Sequence, residues 1–209
     1  MKFTRLLLSC SLFSLPICAS TISVNFGTPD APFTQSVSTS ANYMFAPGFT
    51  IVASGFGGTG NTVSPTALFA KNQTGTDEVG LGTAAGSSKE VDSTHFIQLD
   101  LTALKGYGAS TFLFSTNSVS GTDAYKVFLS KTQSGMDTVV FPTMTGEKTY
   151  TVNSSDFNAR PYLSFTATTG DVLLGPGAVT KTDAPEPGTV VSLGAGLVLI
   201  GLRFRKARS

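Results

Sequence analysis

The chain has 209 residues, room for one or two domains at a typical size of about 150 residues, and its 41% apolar content is ordinary for a folded protein. Charged residues make up only 13%, about half the usual share of roughly 25%, which argues against long surface helices with Glu, Lys and Arg on their solvent faces. The net charge of +1 hides an asymmetry: six of the fourteen bases lie at the two ends, while positions 21–184 hold eight bases and twelve acids with no basic cluster, so no nucleic-acid partner is expected.

At the N-terminus, Lys2 and Arg5 precede an apolar stretch from Leu6 to Ile17, and Cys18, Ala19 and Ser20 supply small residues for cleavage. This is the pattern of a secretory signal peptide, 1–20, cut by signal peptidase after Ala19 or Ser20. About twelve apolar residues, interrupted by Ser9, Ser11, Ser14 and Pro16, fall short of the roughly 20 that a spanning helix needs. Both cysteines, Cys10 and Cys18, lie in this segment, so the mature chain is expected to carry no thiol. Lipid modification of Cys18 is the competing reading, but branched Ile17 stands where a small residue is required.

Positions 21–184 show apolar runs of strand length between Gly, Ser, Thr and Asn clusters, with no sustained 3.6-residue period. They predict an all-β passenger, a single antiparallel β-sandwich of jelly-roll-like form. The expected strands are 21–26, 49–54, 66–71, 94–102, 111–116, 124–130, 137–142, 149–153, 160–167 and 171–174. In the fourth, Ile97, Leu99 and Leu101 should face the core while Gln98 and Asp100 face water.

Residues with chemical potential are few in the passenger. Gly55-Phe56-Gly57-Gly58-Thr59-Gly60 fits the dinucleotide fingerprint G-x-G-x-x-G, but a strand-like run rather than a helix follows, so it reads as an inter-strand loop. His95 is the only histidine; no G-x-S-x-G elbow accompanies it, and one imidazole cannot build a multi-histidine metal site. Asp77, Glu78, Glu90 and Asp92 flank a Gly/Ser-rich loop and are weak candidate Ca²⁺ ligands, against the plainer reading of a solvated acidic loop; EF-hand spacing is missing. No catalytic residue, cofactor or enzymatic activity is expected.

The C-terminal 25 residues are the most specific signal. Pro185, Glu186, Pro187 and Gly188 precede an apolar run, 189–202, and then a basic stop, 203–208, with Arg203, Arg205, Lys206 and Arg208. The two prolines keep the tripeptide out of any helix. A helix over Gly188 to Leu202 would reach roughly 22 Å at about 1.5 Å per residue, short of a bilayer core near 30 Å, so a weak, tilted transmembrane anchor is expected. The closing bases favour the cytoplasm and leave the tripeptide outside. Gly188, Ser192 and Gly196 fall on one face with small side chains, which admits close approach of another helix.

This order, with Pro185-Glu186-Pro187-Gly188-Thr189, the Leu-Gly-Ala-Gly-Leu run from Leu193 to Leu197 and the basic end, resembles the PEP-CTERM sorting signal. The resemblance implies recognition by an exosortase, removal of the tail, 185–209, after transient anchoring in the inner membrane, and delivery of the passenger to the surface of a Gram-negative bacterium. Two stretches, 77–101 and 162–174, are more loosely similar to passengers of that exported group, which are mostly β-sandwiches without assigned chemistry. The implied function is a structural or adhesive component of the cell surface, in an exopolysaccharide or biofilm context. A carbohydrate-binding module is the alternative, disfavoured by the lack of Trp and the scatter of Tyr43, Tyr107, Tyr125, Tyr150 and Tyr162. A glycoside hydrolase is a more distant one, since the spacing of two carboxylates is invisible in sequence.

Overall fold

Alternation of side chains sets the strands. Along Phe49–Gly57, Phe49, Ile51 and Ala53 are buried while Thr50, Val52 and Ser54 between them are half-buried on the opposite face, the period-two pattern of an extended chain with one face in a core. The structure, a computed structural model, describes residues 19–27, 38–46, 49–58, 63–72 and 78–182. The expected signal peptide up to Cys18, the sorting motif, the apolar run and the basic stop, together with Asp77, lie outside the described residues.

Two antiparallel sheets carry the fold. Sheet A has the order β11 (Thr149–Asn153), β8 (Ala109–Asn117), β13 (Leu173–Thr182), β6 (Val79–Thr83) and β5 (Leu68–Asn72), with β1 (Ala19–Val24) also paired to β13. Sheet B has the order β10 (Thr138–Thr145), β9 (Ala124–Ser130), β12 (Tyr162–Thr169), β7 (His95–Asp100), β3 (Phe49–Gly57) and β2 (Ser40–Ala46), with β4 (Ser64–Thr66) on β3. Two short helices, α1 (Thr102–Tyr107) and α2 (Ser154–Ala159), are the only α-helical segments among the described residues. The chain is therefore all-β.

The inner faces of the sheets meet in one aromatic-rich core, a sandwich-like arrangement. Phe45 of β2 lies 6.4 Å from Phe112 of β8, Phe141 of β10 lies 4.5 Å from Tyr150 of β11, and Tyr125 of β9 meets Tyr150 edge-on at 6.1 Å. Such pairs add about 0.5–1.5 kcal/mol each beyond area burial. Buried phenol oxygens need partners: Tyr125 and Tyr150 share a 2.6 Å hydrogen bond, and Tyr43 donates to the Phe26 carbonyl at 2.9 Å. Burial, and for Tyr150 also the Tyr125 hydroxyl, pushes the phenols of Tyr43 and Tyr150 up, so both stay neutral. None of these three tyrosines is an exposed platform.

The structure departs from the sequence reading at several points. Strands β2 and β6 and both helices have no counterpart in it. Ile97, Leu99 and Leu101 are buried as expected, but Gln98 does not face water: it is 2% exposed, because the segment after β9 folds back over it. The glycine-rich run is not simply a loop either. Gly55, Phe56 and Gly57 belong to β3, and a Cβ on Gly57 would stand 3.1 Å from the ring of His95, its cross-strand partner.

Candidate functional site

Cross-strand register arranges the outer face of sheet B in rows. Ser54, Gln98, Ser164 and Phe128 form one line across β3, β7, β12 and β9. The neighbouring line carries Phe56 and Phe96, paired on β3 and β7, and Thr166 and Lys126, paired on β12 and β9.

The β9–β10 connection, 131–137, covers the centre of the first line. Gln98 Oε1 accepts the Ser134 N–H at 2.7 Å, and Nε2 donates to Ser164 Oγ at 2.9 Å and to the Gly135 carbonyl at 3.2 Å. Ser164 Oγ donates to the same carbonyl at 3.0 Å. A carboxamide with both ends satisfied can be buried at little cost, and here it serves as the peg that holds the loop down. Ser134 takes a positive φ of 60° in that loop, a conformation disfavoured for L residues.

Beyond the covered line lies a cavity of about 320 Å³, at the low end of the range for small-molecule sites. Phe96, Phe128, Met136, Thr94, Thr166, His95 and Lys126 contribute to its lining, with the Thr94 hydroxyl donated to Asp92 at 2.8 Å and the Thr166 hydroxyl to the His95 carbonyl at 2.9 Å. None of the described lining residues is acidic. Lys126 makes no ion pair among the described residues.

His95 is oriented from behind. Its Nδ1 lies 2.8 Å from Asp92 Oδ1 and 3.1 Å from Thr94 Oγ1. A carboxylate only accepts, so a proton sits on Nδ1, and in the neutral form of the ring Nε2 is an acceptor. Burial alone would raise the Asp92 carboxyl. Hydrogen bonds from the Thr94 hydroxyl, the His95 ring and the Thr94 and Ser87 N–H groups outweigh that and hold it down to about 2. No hydrogen bond joins Nε2 to a hydroxyl among the described residues.

The acidic loop resolves into two separate functions. Lys71 Nζ sits 2.7 Å from both Glu78 Oε2 and Glu90 Oε1, with Lys71 9% and Glu90 4% exposed, and the Ser118 hydroxyl donates to Glu90 Oε1 at 3.2 Å. Burial works against the Lys71 ammonium, but hydrogen bonds and charge from the two glutamates more than compensate and raise its pKa. Asp92 is tied instead to His95, so Glu78, Glu90 and Asp92 do not converge on one point. Among the described residues no group of three or more His, Cys, Asp or Glu side chains could hold a metal ion.

No protein-family model, curated protein or solved structure matches this chain. The site must therefore be read from its own chemistry. Of the cavity lining, sequence reading singled out His95 and, within the glycine-rich run, Gly58, and it named Asp92, which stands behind His95, only as a candidate Ca²⁺ ligand. It missed Lys126, Phe128, Thr166 and Thr168, which come from strands remote in sequence. The available signal was alternation: Lys126-x-Phe128 and Ser164-x-Thr166-x-Thr168 place polar or mixed side chains on the face opposite their core-facing neighbours.

Proposed function

We propose that this chain is an exported component of the bacterial surface or its matrix, delivered through a C-terminal sorting tail that an exosortase recognises, with the two-sheet passenger as the part that remains outside. The observation that carries this reading is the position of the fold's last strand. β13 is internal in sheet A, paired with β8, β6 and β1, and it ends at Thr182. Only Asp183 and Ala184 separate it from Pro185. A tail that begins where the passenger's last strand ends can be removed without taking any core residue with it.

The order of the strands supports the finer reading of the passenger as a jelly roll. Four strands of sheet A run β11–β8–β13–β6 and four of sheet B run β10–β9–β12–β7. From β6 to β13 the chain switches sheet at every connection except the β9–β10 hairpin, which is the connectivity of two interleaved Greek keys. Folds of this type host many unrelated functions, so the surface role rests on the tail rather than on the architecture.

The test compares the full chain with a chain ending at Ala184. The full chain should reach the cell surface and co-sediment with extracellular polysaccharide, with a mature C-terminus near Glu186 by mass spectrometry. The shortened chain should be exported but lost to the medium. Identical behaviour of the two, or intact Arg208 on surface-exposed protein, rules the sorting reading out.

A second reading, a carbohydrate-binding module, gains support from the cavity on sheet B, which joins carbon surface to hydroxyls and a cation.

A further inference from the structure

We propose that the open part of the outer face of sheet B binds an acidic sugar, a hexuronate unit of an extracellular polysaccharide. This rests on the reading of the chain as a matrix-associated surface component, and names its partner. Charge decides the class of guest. Lys126 stands on the cavity wall without an ion-pair partner among the described residues, and no described lining residue is acidic. The nearby Asp92 is spent on His95, Thr94 and the Ser87 N–H. A guest carboxylate therefore meets a counter-charge with no like charge in the wall.

The rest of the lining selects among anions. Phe96, Phe128 and Met136 offer carbon surface beside the hydroxyls of Thr94 and Thr166, whose protons are given to Asp92 and the His95 carbonyl and whose oxygens are left to accept from a guest. A compact anion such as phosphate leaves that carbon surface wet, and a neutral sugar leaves Lys126 uncompensated. A pyranose ring bearing C–H faces, hydroxyls and one carboxylate satisfies both.

One further feature points to hydroxyl recognition. With Nδ1 turned to Asp92, His95 Nε2 can accept a sugar hydroxyl, and Gly57 opposite leaves room for it: a Cβ there would stand 3.3 Å from Nε2.

The experiment is calorimetric titration of the full chain, held in a polyoxyethylene detergent that presents no sugar headgroup. The probes are α-1,4-trigalacturonate, its fully methyl-esterified form, which keeps the ring and removes the charge, and inorganic phosphate. Trigalacturonate should bind saturably and more weakly as salt rises, with the ester at least about tenfold weaker, the size of one charged hydrogen bond. Lys126→Met should abolish the preference for the acid over the ester, and Lys126→Arg should keep it. His95→Gln should weaken both probes, with thermal midpoints checking that each variant is folded. Equal binding of acid and ester, displacement of the trisaccharide by equimolar phosphate, absence of binding, or wild-type binding by Lys126→Met each overturns the proposal. None of these measurements involves the tail, so their failure leaves the sorting test standing, and failure of the sorting test leaves intact any uronate binding.

Discussion

Two residues illustrate how a polar group is handled when topology buries it. Glu90 is nearly inaccessible and has Lys71 and Ser118 as partners. Removing one member of a buried pair leaves the other charge uncompensated. Glu90→Ala should therefore cost about 3 kcal/mol in chemical denaturation, softened from the upper end of the range because Glu78 still reaches Lys71. The double variant Lys71→Met/Glu90→Leu should recover most of that loss, since it removes both charges together. Lys71 and Asp92 contribute to the pH limits. Lys71 has a raised pKa, so its contribution is complete below the unfolded lysine value of about 10.4 and disappears as pH climbs through the folded one. Asp92 is depressed from 3.8 to about 2, so its contribution of about 2 kcal/mol is complete above pH 4 and disappears as pH falls through 2. Thermal midpoints measured against pH should decline at both ends. In Asp92→Asn the acid limb should flatten while the alkaline limb stays; an unchanged acid limb would show that Asp92 is not its source.

At the scale of elements, the β9–β10 connection is held by two side chains from other strands, Gln98 of β7 and Ser164 of β12, the latter at the Gly135 carbonyl. Gln98 contacts it through both ends of its carboxamide, to Ser134 and Gly135. Gln98→Ala should raise hydrogen exchange at the Ser134 amide at least about tenfold and lower stability by about 2 kcal/mol, the cost of leaving buried polar groups unmatched. Exchange that stays slow at Ser134 would mean the loop is held by other contacts. Gln98 also shows what was legible in the sequence. Its place in the alternation was readable, and so was the burial of Ile97, Leu99 and Leu101, because both follow from period two. The loop that covers Gln98 was not, because it is a tertiary event between residues 36 and 37 positions apart. β6, Val79–Thr83, was missed for a different reason: two of its five residues are glycine, which strands usually avoid. Gly80 is required there because a Cβ would stand 2.7 Å from the Leu174 carbonyl of β13. The short helices were unreadable because six residues cannot display a helical period. Of the candidate site, the sequence offered His95 and Asp92 as separate residues and showed neither their pairing nor the neighbours on β9 and β12, whose proximity depends on strand order.

For the passenger as a whole, the strand order makes the C-terminal end indispensable although the tail beyond it is not. Residues Ser20–Lys181 form one compact unit. Within it β13 bridges β8, from 109 to 117, to β6, from 79 to 83, and its first residues pair with both. Leu173, Leu174 and Val179 bury fully there. Sheet A thus cannot close until the last segment of the passenger is present, and the pairings it completes span about 60 to 90 residues, a topology that folds slowly because loop closure must precede the stabilising contacts. A chain ending at Ala184 should keep the thermal midpoint of the full passenger, since it retains all of β13. A chain ending at Gly170 loses that strand, splits sheet A between β8 and β6, and exposes the carbon surface of both neighbours. It should show no cooperative unfolding by tyrosine fluorescence and be cleaved by protease at native temperature. If the shorter chain unfolds cooperatively near the same temperature, β13 is an appendage rather than a keystone, and the placement of the tail directly after it loses its physical rationale.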